Sequence, residues 1–176
     1  FSGGGAVYHD LGNICFCFIT NDDGNSFRDF KQFTEPIIES LKKMGVEGAE
    51  LRGRNDLVIG DQKFSGNAMY SKNGRMTAHG TLMFDVDIEE TTKVLKPKAA
   101  KLKAKGVKSI RSRVTNIKPH MDAASQNMTL SDFRSALLRN IFDVENLEDI
   151  QEYVLTEDDW AWIENFRQQY TNNDDW

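Results

Sequence analysis

The segment from residue 49 to residue 86 constrains the fold most, because short strand candidates follow one another with little chain between them. The candidates cover residues 49–51, 56–59, 63–70 and 76–86. Gly60-Asp61 and Lys72-Asn73-Gly74 separate the last three, and Asn-Gly is a strong hairpin signal. Strands linked this tightly must be antiparallel, since a parallel pair needs a long crossover connection.

The N-terminal segment alternates in the way that is typical of strands. Residues 5–9 and 13–19 are predicted as two strands that form a hairpin through the connection Asp10-Leu11-Gly12. In the second strand Cys15 and Cys17 fall on one face, because successive side chains point to opposite faces. Two strand cysteines without a second pair make neither a zinc site nor a disulfide framework, so both are predicted to be reduced and buried.

After these strands the apolar residues recur at helical spacing. Gly45 is a natural terminator of the first helix, and Pro36 lies inside the pattern. Either the first turns bend at the proline or the regular helix begins near Thr34. The apolar stripe of this helix consists of Phe27, Phe30, Phe33, Ile37, Leu41 and Met44.

Further helices are predicted at residues 88–95, 97–105, 129–142 and 156–170. The last of them has a capping-box pair, Thr156 and Asp159. Its apolar stripe consists of Trp160, Ile163, Phe166 and Tyr170. Strands followed by helices predict the α+β class, with a mixed, largely antiparallel sheet backed by helices on one side.

Length and charge exclude several classes of protein. The 176 residues fit one domain, 1–176, that is long enough to bury a core. The formal net charge of −5 argues against a nucleic-acid partner, which requires a basic surface. No apolar run approaches the ~18 residues of a membrane helix, so no membrane partner and a soluble, cytoplasmic protein are expected.

A run of three glycines, Gly3 to Gly5, follows Ser2 at the start of the chain. Glycine tolerates positive φ and has no Cβ, so the N–H groups of such a loop can surround an anion such as a phosphate. A glycine loop alone is weak evidence. Three further segments accompany it, namely GRNDLVIGDQKFSGNA (53–68), HGTLMFDVD (79–87) and KSIRSRVTNI (108–117).

Together with SGGGAVYHD (2–10), these segments resemble lipoate–protein ligases, in the family's order and across nearly the whole chain. The resemblance implies a biotin/lipoate ligase-like catalytic domain that uses ATP and Mg²⁺ and takes lipoate as its substrate. The family's first motif opens with two arginines ahead of the serine, and Trp176 looks like the start of the stretch that leads to an accessory domain. The chain is therefore expected to be the catalytic domain without its N-terminal part and without any C-terminal accessory domain.

The resemblance also assigns roles to residues. Lys63 is the implied catalytic residue, which contacts both the lipoyl carboxylate and the α-phosphate. The implied ATP-binding residues are Gly5, Ala6, Val7, Tyr8, Asn55, Asp56 and Lys63. The implied lipoate-binding residues are Ser2, Gly3, Gly4, His9, Lys63, Gly66, Ala68 and His79. Asp56 is the implied magnesium ligand, although an aspartate that forms a turn before a strand gives the same pattern.

The neighbours of Lys63 support a binding role by themselves. The small residues of 65–68 and Gly60 leave room for a ligand beside the ammonium group, which a solvated lysine would not need. Charge builds up on the phosphate oxygens during adenylation, so fixed positive charge is expected rather than a covalent nucleophile. Val7 and Phe16 are candidates for the apolar slot that a dithiolane and its alkyl tail require.

The implied reaction has two steps and protein partners. Lipoate and ATP give lipoyl-AMP and pyrophosphate, and a lysine amine then displaces AMP. The implied acceptors are the lipoyl domains of 2-oxo acid dehydrogenase complexes and the glycine cleavage H protein. One alternative is an octanoyl or lipoyl transferase with Cys15 or Cys17 as nucleophile, although both are predicted to lie in the core. A second is a non-catalytic lipoate-binding protein. A biotin ligase is disfavoured, because Ser-Gly-Gly-Gly replaces that family's Gly-Arg-Gly-Arg loop.

Overall fold

A computed structural model describes residues 6–95 and 113–171. The chain divides into two compact units, residues 1–144 and residues 145–176. The predicted helix at 97–105 and the residues Ser2 to Gly5 lie outside the described residues, as does Trp176. Within the described part, no helix is both long and apolar enough to cross a bilayer.

The first unit is built on a five-stranded sheet with the strand order β1-β5-β4-β3-β2. All neighbouring strands are antiparallel, which confirms the prediction from the short connections. Asn73 and Gly74 both have positive φ values, 54° and 73°, as the tight turn between the fourth and fifth strands requires. The strands are β1 (Asn13–Asn21), β2 (Ala49–Arg52), β3 (Asp56–Ile59), β4 (Gln62–Lys72) and β5 (Arg75–Met83).

The predicted strand at residues 5–9 is wrong for the part that the structure describes, since residues 6–10 form no strand. The backbone turns here instead. The carboxylate of Asp10 accepts a hydrogen bond from the Gly12 N–H at 2.7 Å, while the Asp10 N–H donates to Oδ1 of Asn13 at 3.0 Å. An aspartate that bonds the backbone two residues on forms an Asx turn. This turn ends the segment before it can pair with β1.

Helix α1 (Phe30–Lys43) begins earlier than Thr34 and continues through Pro36. The side chain of Asp29 caps it by accepting from the Gln32 N–H. Thr34 satisfies a carbonyl of the first turn, because its hydroxyl donates to Phe30 O at 2.8 Å. The chain leaves the helix through Gly45, whose φ of 78° suits a glycine.

Helices α2 (Ile88–Val94) and α3 (Leu130–Phe142) follow the sheet, and a short 3₁₀ turn lies between them at Lys118–His120. Thr129 and Asp132 form a reciprocal capping box at the start of α3. One face of the sheet packs against α1 and α3, which confirms the α+β prediction. The ring of Phe84, just after β5, stacks on Phe133 of α3 with centroids 4.4 Å apart.

The second unit contains helix α4 (Glu157–Thr171). Its predicted capping box is confirmed, because Thr156 Oγ1 accepts from the Asp159 N–H and the Asp159 carboxylate accepts from the Thr156 N–H. The four residues of its predicted apolar stripe are all exposed, from 43% for Ile163 to 58% for Trp160. Amphipathic spacing therefore predicted the helix but not the burial of its apolar side.

Both cysteines are exposed, so the prediction that they are buried is wrong. They do share one face of β1, as the alternation predicted. The opposite face carries Phe16 and Phe18, which pack against the core between the sheet and the helices. An aromatic side chain buries more apolar area than a thiol, so the aromatic face of β1 is the one that turns inward.

Candidate active site

The face of the sheet opposite the helices carries most of the predicted site residues that the structure describes. We call it the open face. Strand pairing aligns its residues in two rows. The first row contains Asp56, Gly66, Thr81 and Cys15, and the second contains Ala68, His79 and Cys17. Directly paired residues lie one strand spacing apart, about 5 Å, so each row forms a continuous surface.

Lys63 and Asp56 form an ion pair on this face. Nζ of Lys63 lies 2.6 Å from Oδ1 of Asp56, and the two side chains are 38% and 30% exposed. The lysine side chain lies across Gly66, where an ideal Cβ would come within 2.8 Å of Nζ. The glycine thus provides the space in which the ammonium group lies. Lys63, Asp56 and Gly66 are brought together as one cluster.

A β-bulge puts Lys63 on the open face. Val58 pairs with Lys63 while the preceding Leu57 pairs with Ser65, so Phe64 is an extra residue in β4. Phe64 is fully buried in the core between the sheet and the helices. In a regular strand, residues three apart point to opposite faces. The extra residue allows Lys63 and Gly66 to share one face.

The motif around Thr115 and Asn116 holds the strand end that carries Lys63. The Thr115 N–H donates to Lys63 O at 3.0 Å, and Gln62 Nε2 donates to Val114 O at 3.2 Å. Lys63 and Val114 form an isolated parallel bridge. The Asn116 side chain binds both the N–H and the C=O of Val86. Lys63 is therefore fixed on both sides of its backbone.

The side-chain amide of Asn55 forms a hydrogen bond with the backbone of β4 and is not directed to the open face. Its Nδ2 donates to Asn67 O, and its own carbonyl accepts from both the backbone N–H and Nδ2 of Asn67, each at 3.0 Å. This reciprocal set ties the turn before Asp56 to β4. The predicted role of Asn55 in binding ATP stays a prediction; the structure gives its side chain a positioning contact.

Asn67 is a residue that sequence reasoning missed. It is 6% exposed on the core face, and within the described part of the chain its Oδ1 has no hydrogen-bond partner. An ideal Cβ at Gly80, the residue paired with it in β5, would lie only 2.3 Å from this Oδ1. Gly80 therefore makes room for the Asn67 amide. The Asn-Ala and His-Gly pairs in the motifs give no sequence signal that would reveal this contact.

The two motif histidines lie at different places on the open face. His79 is half-buried in β5 between Cys17 and Ala68. His9 is exposed, and its Nδ1 lies 3.0 Å from Nδ2 of Asn13 and 3.7 Å from Sγ of Cys15. Although Cys17 is exposed by area, the protein atoms around its sulfur raise the pKa of its thiol.

Tyr8 lies apart from the Lys63 cluster, in a groove of about 580 Å³ at the end of the sheet where β1 begins and β5 ends. Neither Lys63, Asn55 nor Asp56 lines this groove. Ala6 and Val7 are exposed. Desolvation, and after it the negative charges of Asp10 and Asp87, raise the pKa of the Tyr8 hydroxyl. The structure thus separates the predicted ATP-binding residues that it describes into two places.

Asp10 positions the segment that carries Tyr8 and His9. Besides its Asx turn, its Oδ2 accepts from the N–H of Asp87, the cap of α2, at 2.8 Å. Gly12 fits closely beneath, since an ideal Cβ there would lie 2.0 Å from Asp85 O. The Asp-x-Gly pattern is a turn signal. It could have identified Asp10 as structural from the sequence.

Asp56 is the described residue that fits a magnesium ion. Among residues 6–95 and 113–171, no group of three or more His, Cys, Asp or Glu side chains is arranged to hold a metal. Mg²⁺ keeps several waters and is commonly bound by one or two carboxylates together with substrate phosphates. One carboxylate beside a cationic side chain fits that mode, in which the ligand brings the remaining oxygens.

Comparison with known proteins supports the assignment from the motifs. The family model for the lipoyl protein ligase A/B catalytic domain matches residues 1–142. The chain belongs to this family. Most of the first unit lies within the match, including the Lys63 cluster and both motif histidines.

Similar proteins carry lipoate ligase names. The chain is 53% identical to lipoate-protein ligase LplJ of Bacillus subtilis over 99% of its own length and 52% of that protein. It is 49% identical to lipoate–protein ligase 1 of Staphylococcus aureus, over 93% of the chain and 48% of that protein. The chain thus spans about half the length of the curated relatives it matches.

A solved structure shares the fold of this ligase family member. The bipartite lipoate protein ligase of Thermoplasma acidophilum, studied with its E2 lipoyl domain, superimposes with a TM-score of 0.79. The two chains are 26% identical, and the match covers 100% of this chain and 68% of that one. The sheet with helices on one side is therefore the fold of the family.

Proposed function

We propose that this chain is the catalytic part of an ATP-dependent lipoate–protein ligase. It activates lipoate to lipoyl-AMP with release of pyrophosphate and transfers the lipoyl group to a lysine amine. The observation that carries the proposal is the Lys63–Asp56 pair lying over Gly66 on the open face, in a member of this family. The cluster brings a cation, a carboxylate and a residue without a side chain together at one point.

Adenylation places negative charge on the α-phosphate oxygens, and the ammonium group of Lys63 stabilises this charge. The backbone of Lys63 is held by β3 and by Thr115, so only its side chain has to turn when the substrates bind. A cation held at the position where charge develops stabilises the transition state. In the absence of ligand Asp56 balances its charge. With ATP bound, Lys63 turns to the lipoyl carboxylate and the α-phosphate.

Asp56 then becomes available as an oxygen ligand. Mg²⁺ would be held by Asp56 and the phosphates, and it would supply further positive charge for the departing pyrophosphate. Asn55 and Asn67 keep the turn before Asp56 in place. The exchange of partners between Lys63 and Asp56 needs only side-chain rotation.

The second step is aminolysis of the mixed anhydride by the acceptor lysine. It requires no covalent nucleophile on the enzyme. His79 and His9 lie on the open face and in the proposed lipoyl site together with Gly66 and Ala68. Imidazole rings there can orient the incoming amine and accept its proton. Ser2, Gly3 and Gly4 are assigned to the same site, and Gly5 to the nucleotide, on the resemblance alone.

The partners follow from the reaction. We assign lipoyl domains of 2-oxo acid dehydrogenase complexes and the glycine cleavage H protein as acceptors, and the cytoplasm as the place of the reaction. The bipartite ligase of Thermoplasma acidophilum, which is named with an E2 lipoyl domain, supports the first kind of acceptor. The formal net charge of −5 supports the absence of a nucleic-acid partner.

One observation favours a second candidate, an acyl transferase that carries its acyl group on a cysteine. Cys15 is exposed rather than buried, and its Sγ lies 3.7 Å from Nδ1 of His9. A thiol beside an imidazole is the usual arrangement of a cysteine nucleophile. A transferase of this kind would take its acyl group from a carrier thioester without ATP, so that an acyl thioester forms on Cys15 and the carrier leaves as a thiol.

Pyrophosphate exchange tests the ligase proposal. With the intact protein, lipoate-dependent exchange between pyrophosphate and ATP should fall about 100-fold or more in Lys63→Ala, by analogy with the loss of one preorganised donor. Lys72→Ala is the matched control, since Lys72 is an exposed lysine at the far end of the same strand. It should retain normal exchange. Exchange near the wild-type rate in Lys63→Ala would remove Lys63 from the chemistry.

Three further measurements separate the steps and the candidates. Supplied with preformed lipoyl-AMP, Lys63→Ala should still transfer the lipoyl group, because its defect lies in the first step. His79→Ala should lose less exchange than Lys63→Ala. No exchange in the wild type, together with a hydroxylamine-labile acyl group on Cys15, would establish the transferase instead.

A further inference from the structure

Two exposed thiols lie on the open face, in the rows that carry the proposed site. Cys15 is in the row of Asp56, Gly66 and Thr81, and Cys17 is directly opposite His79. Gly66 and Cys15 are two strand spacings apart, about 10 Å. Nothing in the proposed adenylation or aminolysis uses either thiol. Their position on this face therefore has no role in the reaction described so far.

The two thiols have different surroundings. Sγ of Cys15 lies 3.7 Å from Nδ1 of His9 and 3.8 Å from Nδ2 of Asn13. Cys17 contacts the carbonyl of Phe18 at 3.8 Å, and the protein around it raises the pKa of its thiol. Because the thiolate is the reactive form, these surroundings disfavour Cys17 as a nucleophile. His9 gives Cys15 a neighbouring group that can take its proton.

The substrate of the proposed function contains a group that thiols attack. The dithiolane ring of lipoate is a cyclic disulfide, joined to the carboxylate by a short alkyl chain. If the carboxylate meets Lys63 above Gly66, an extended chain that crosses β5 brings the ring to Cys15, since the chain and the strand spacing are of comparable length. Lys63 and Cys15 would then hold the two ends of one ligand.

We propose that Cys15 undergoes reversible thiol–disulfide exchange with the dithiolane of bound lipoate, an inference that rests on the proposed function. The Cys15 thiolate attacks one ring sulfur, and the ring S–S bond breaks as a Cys15–lipoyl disulfide forms. The other ring sulfur leaves as a thiolate and takes up the proton that Cys15 gave to His9. The exchange is neutral in electrons and needs no other oxidant. The reverse reaction closes the ring.

Such a tether distinguishes lipoate from a fatty acid of the same length. Octanoate has the carboxylate and the chain but no sulfur, so it can meet Lys63 and not Cys15. Covalent capture also prolongs the stay of lipoate while ATP binds. Cys15 is thus assigned as a specificity-determining residue for a disulfide-containing substrate.

A trapping experiment tests this assignment. The intact protein is incubated with lipoate and then quenched with iodoacetamide, which alkylates the released lipoyl thiol and so prevents ring closure. Fragment mass spectrometry should locate one lipoyl group carrying one carbamidomethyl group on Cys15. Cys17→Ser should give the same product, and Cys15→Ser should give none. Dithiothreitol added after the quench should remove the group.

Four comparisons tie the product to the site. Octanoate should give no adduct. Lipoamide has the same ring but no carboxylate, so it should label Cys15 at least tenfold more slowly, and Lys63→Ala should slow labelling by lipoate in the same way. His9→Asn should slow it about 100-fold or more, as the loss of a general base does.

The result that overturns the inference is distinguishable from failure of the proposed function. If pyrophosphate exchange is normal but no lipoyl adduct forms, the tether is excluded and the ligase is retained. The same conclusion holds if labelling is equal at Cys15 and Cys17, or equal for lipoamide and lipoate. If exchange is absent and an octanoyl thioester leaves a hydroxylamine-labile octanoyl group on Cys15, the ligase is excluded and Cys15 is an acyl carrier instead.

Discussion

Gly66 and Gly80 lie on neighbouring strands, and each leaves space for a side chain on a different face of the sheet. At Gly66 the space is on the open face and holds the end of the Lys63 side chain. At Gly80 it is on the core face and holds the Asn67 amide, with Phe16 and the Gly66 carbonyl also close. One glycine therefore serves a movable cation and the other a fixed packing contact. The comparison indicates that the two faces tolerate change very differently.

The largest expected effect comes from opposing substitutions on β4. Phe64 is fully buried on the core face, while Tyr70 is 44% exposed on the open face. Phe64→Ala should lower the free energy of unfolding by ~3–5 kcal/mol, since it removes a buried ring and leaves a cavity. Tyr70→Ala should change it by less than ~1 kcal/mol. Urea unfolding measures both, and similar losses would show that the open face is packed.

Gly80→Ala is expected to have the next largest effect. The new Cβ would meet Asn67 Oδ1 at 2.3 Å and the Gly66 carbonyl oxygen at 2.9 Å, and backbone cannot move aside easily. Overpacking of this kind costs ~1–3 kcal/mol. In a double-mutant cycle, adding Asn67→Ala should recover part of the loss, because it removes the nearest atom. If the stability losses of the two single variants simply add in the double variant, Gly80 and Asn67 do not interact.

Gly66→Ala should affect activity more than stability. Its Cβ would meet only the flexible end of Lys63, at 2.8 Å from Nζ and 3.1 Å from Cε. The lysine can move away, so we expect a stability loss below ~1 kcal/mol. Displacement of a catalytic group by about 1 Å can cost up to ~100-fold, so pyrophosphate exchange should fall at least tenfold. Unchanged exchange would mean that Nζ does not act from above Gly66.

Asp56→Asn should have the smallest effect on stability. The pair with Lys63 is about one-third exposed on both sides, and such pairs contribute less than ~1 kcal/mol. The expected change is instead in the metal dependence of adenylation, with a higher Mg²⁺ concentration needed for half-maximal exchange. Asp61→Asn is the control, since Asp61 is an exposed carboxylate after the same strand. Equal Mg²⁺ dependence in both variants would remove Asp56 as the metal ligand.

Much of the fold could be predicted, because it depends on local patterns. Asn73-Gly74 predicted the β4–β5 turn, and the period of two predicted that Cys15 and Cys17 share a face. The buried face of β1 is the one with Phe16 and Phe18, and the prediction of buried cysteines did not weigh the larger apolar area of these rings. The spacing in α4 predicted a helix, but the apolar side of that helix is exposed.

The site was less accessible to sequence reasoning. Small residues beside Lys63 indicated free space, and Gly66 does lie beneath its side chain. The bulge at Phe64 carries no sequence signal, and without it Lys63 and Gly66 would be placed on opposite faces. Whether the glycines at the start of the chain approach Lys63 stays a prediction, since they lie outside the described residues.

The extra residue in β4 sets a rule for anyone who would transplant this cluster into another sheet. If the lysine and the glycine were placed three residues apart in a strand without a bulge, the ammonium group would point into the apolar core. An unpaired charge is not tolerated there. The bulge must therefore be transferred as a whole, as the four residues 63–66.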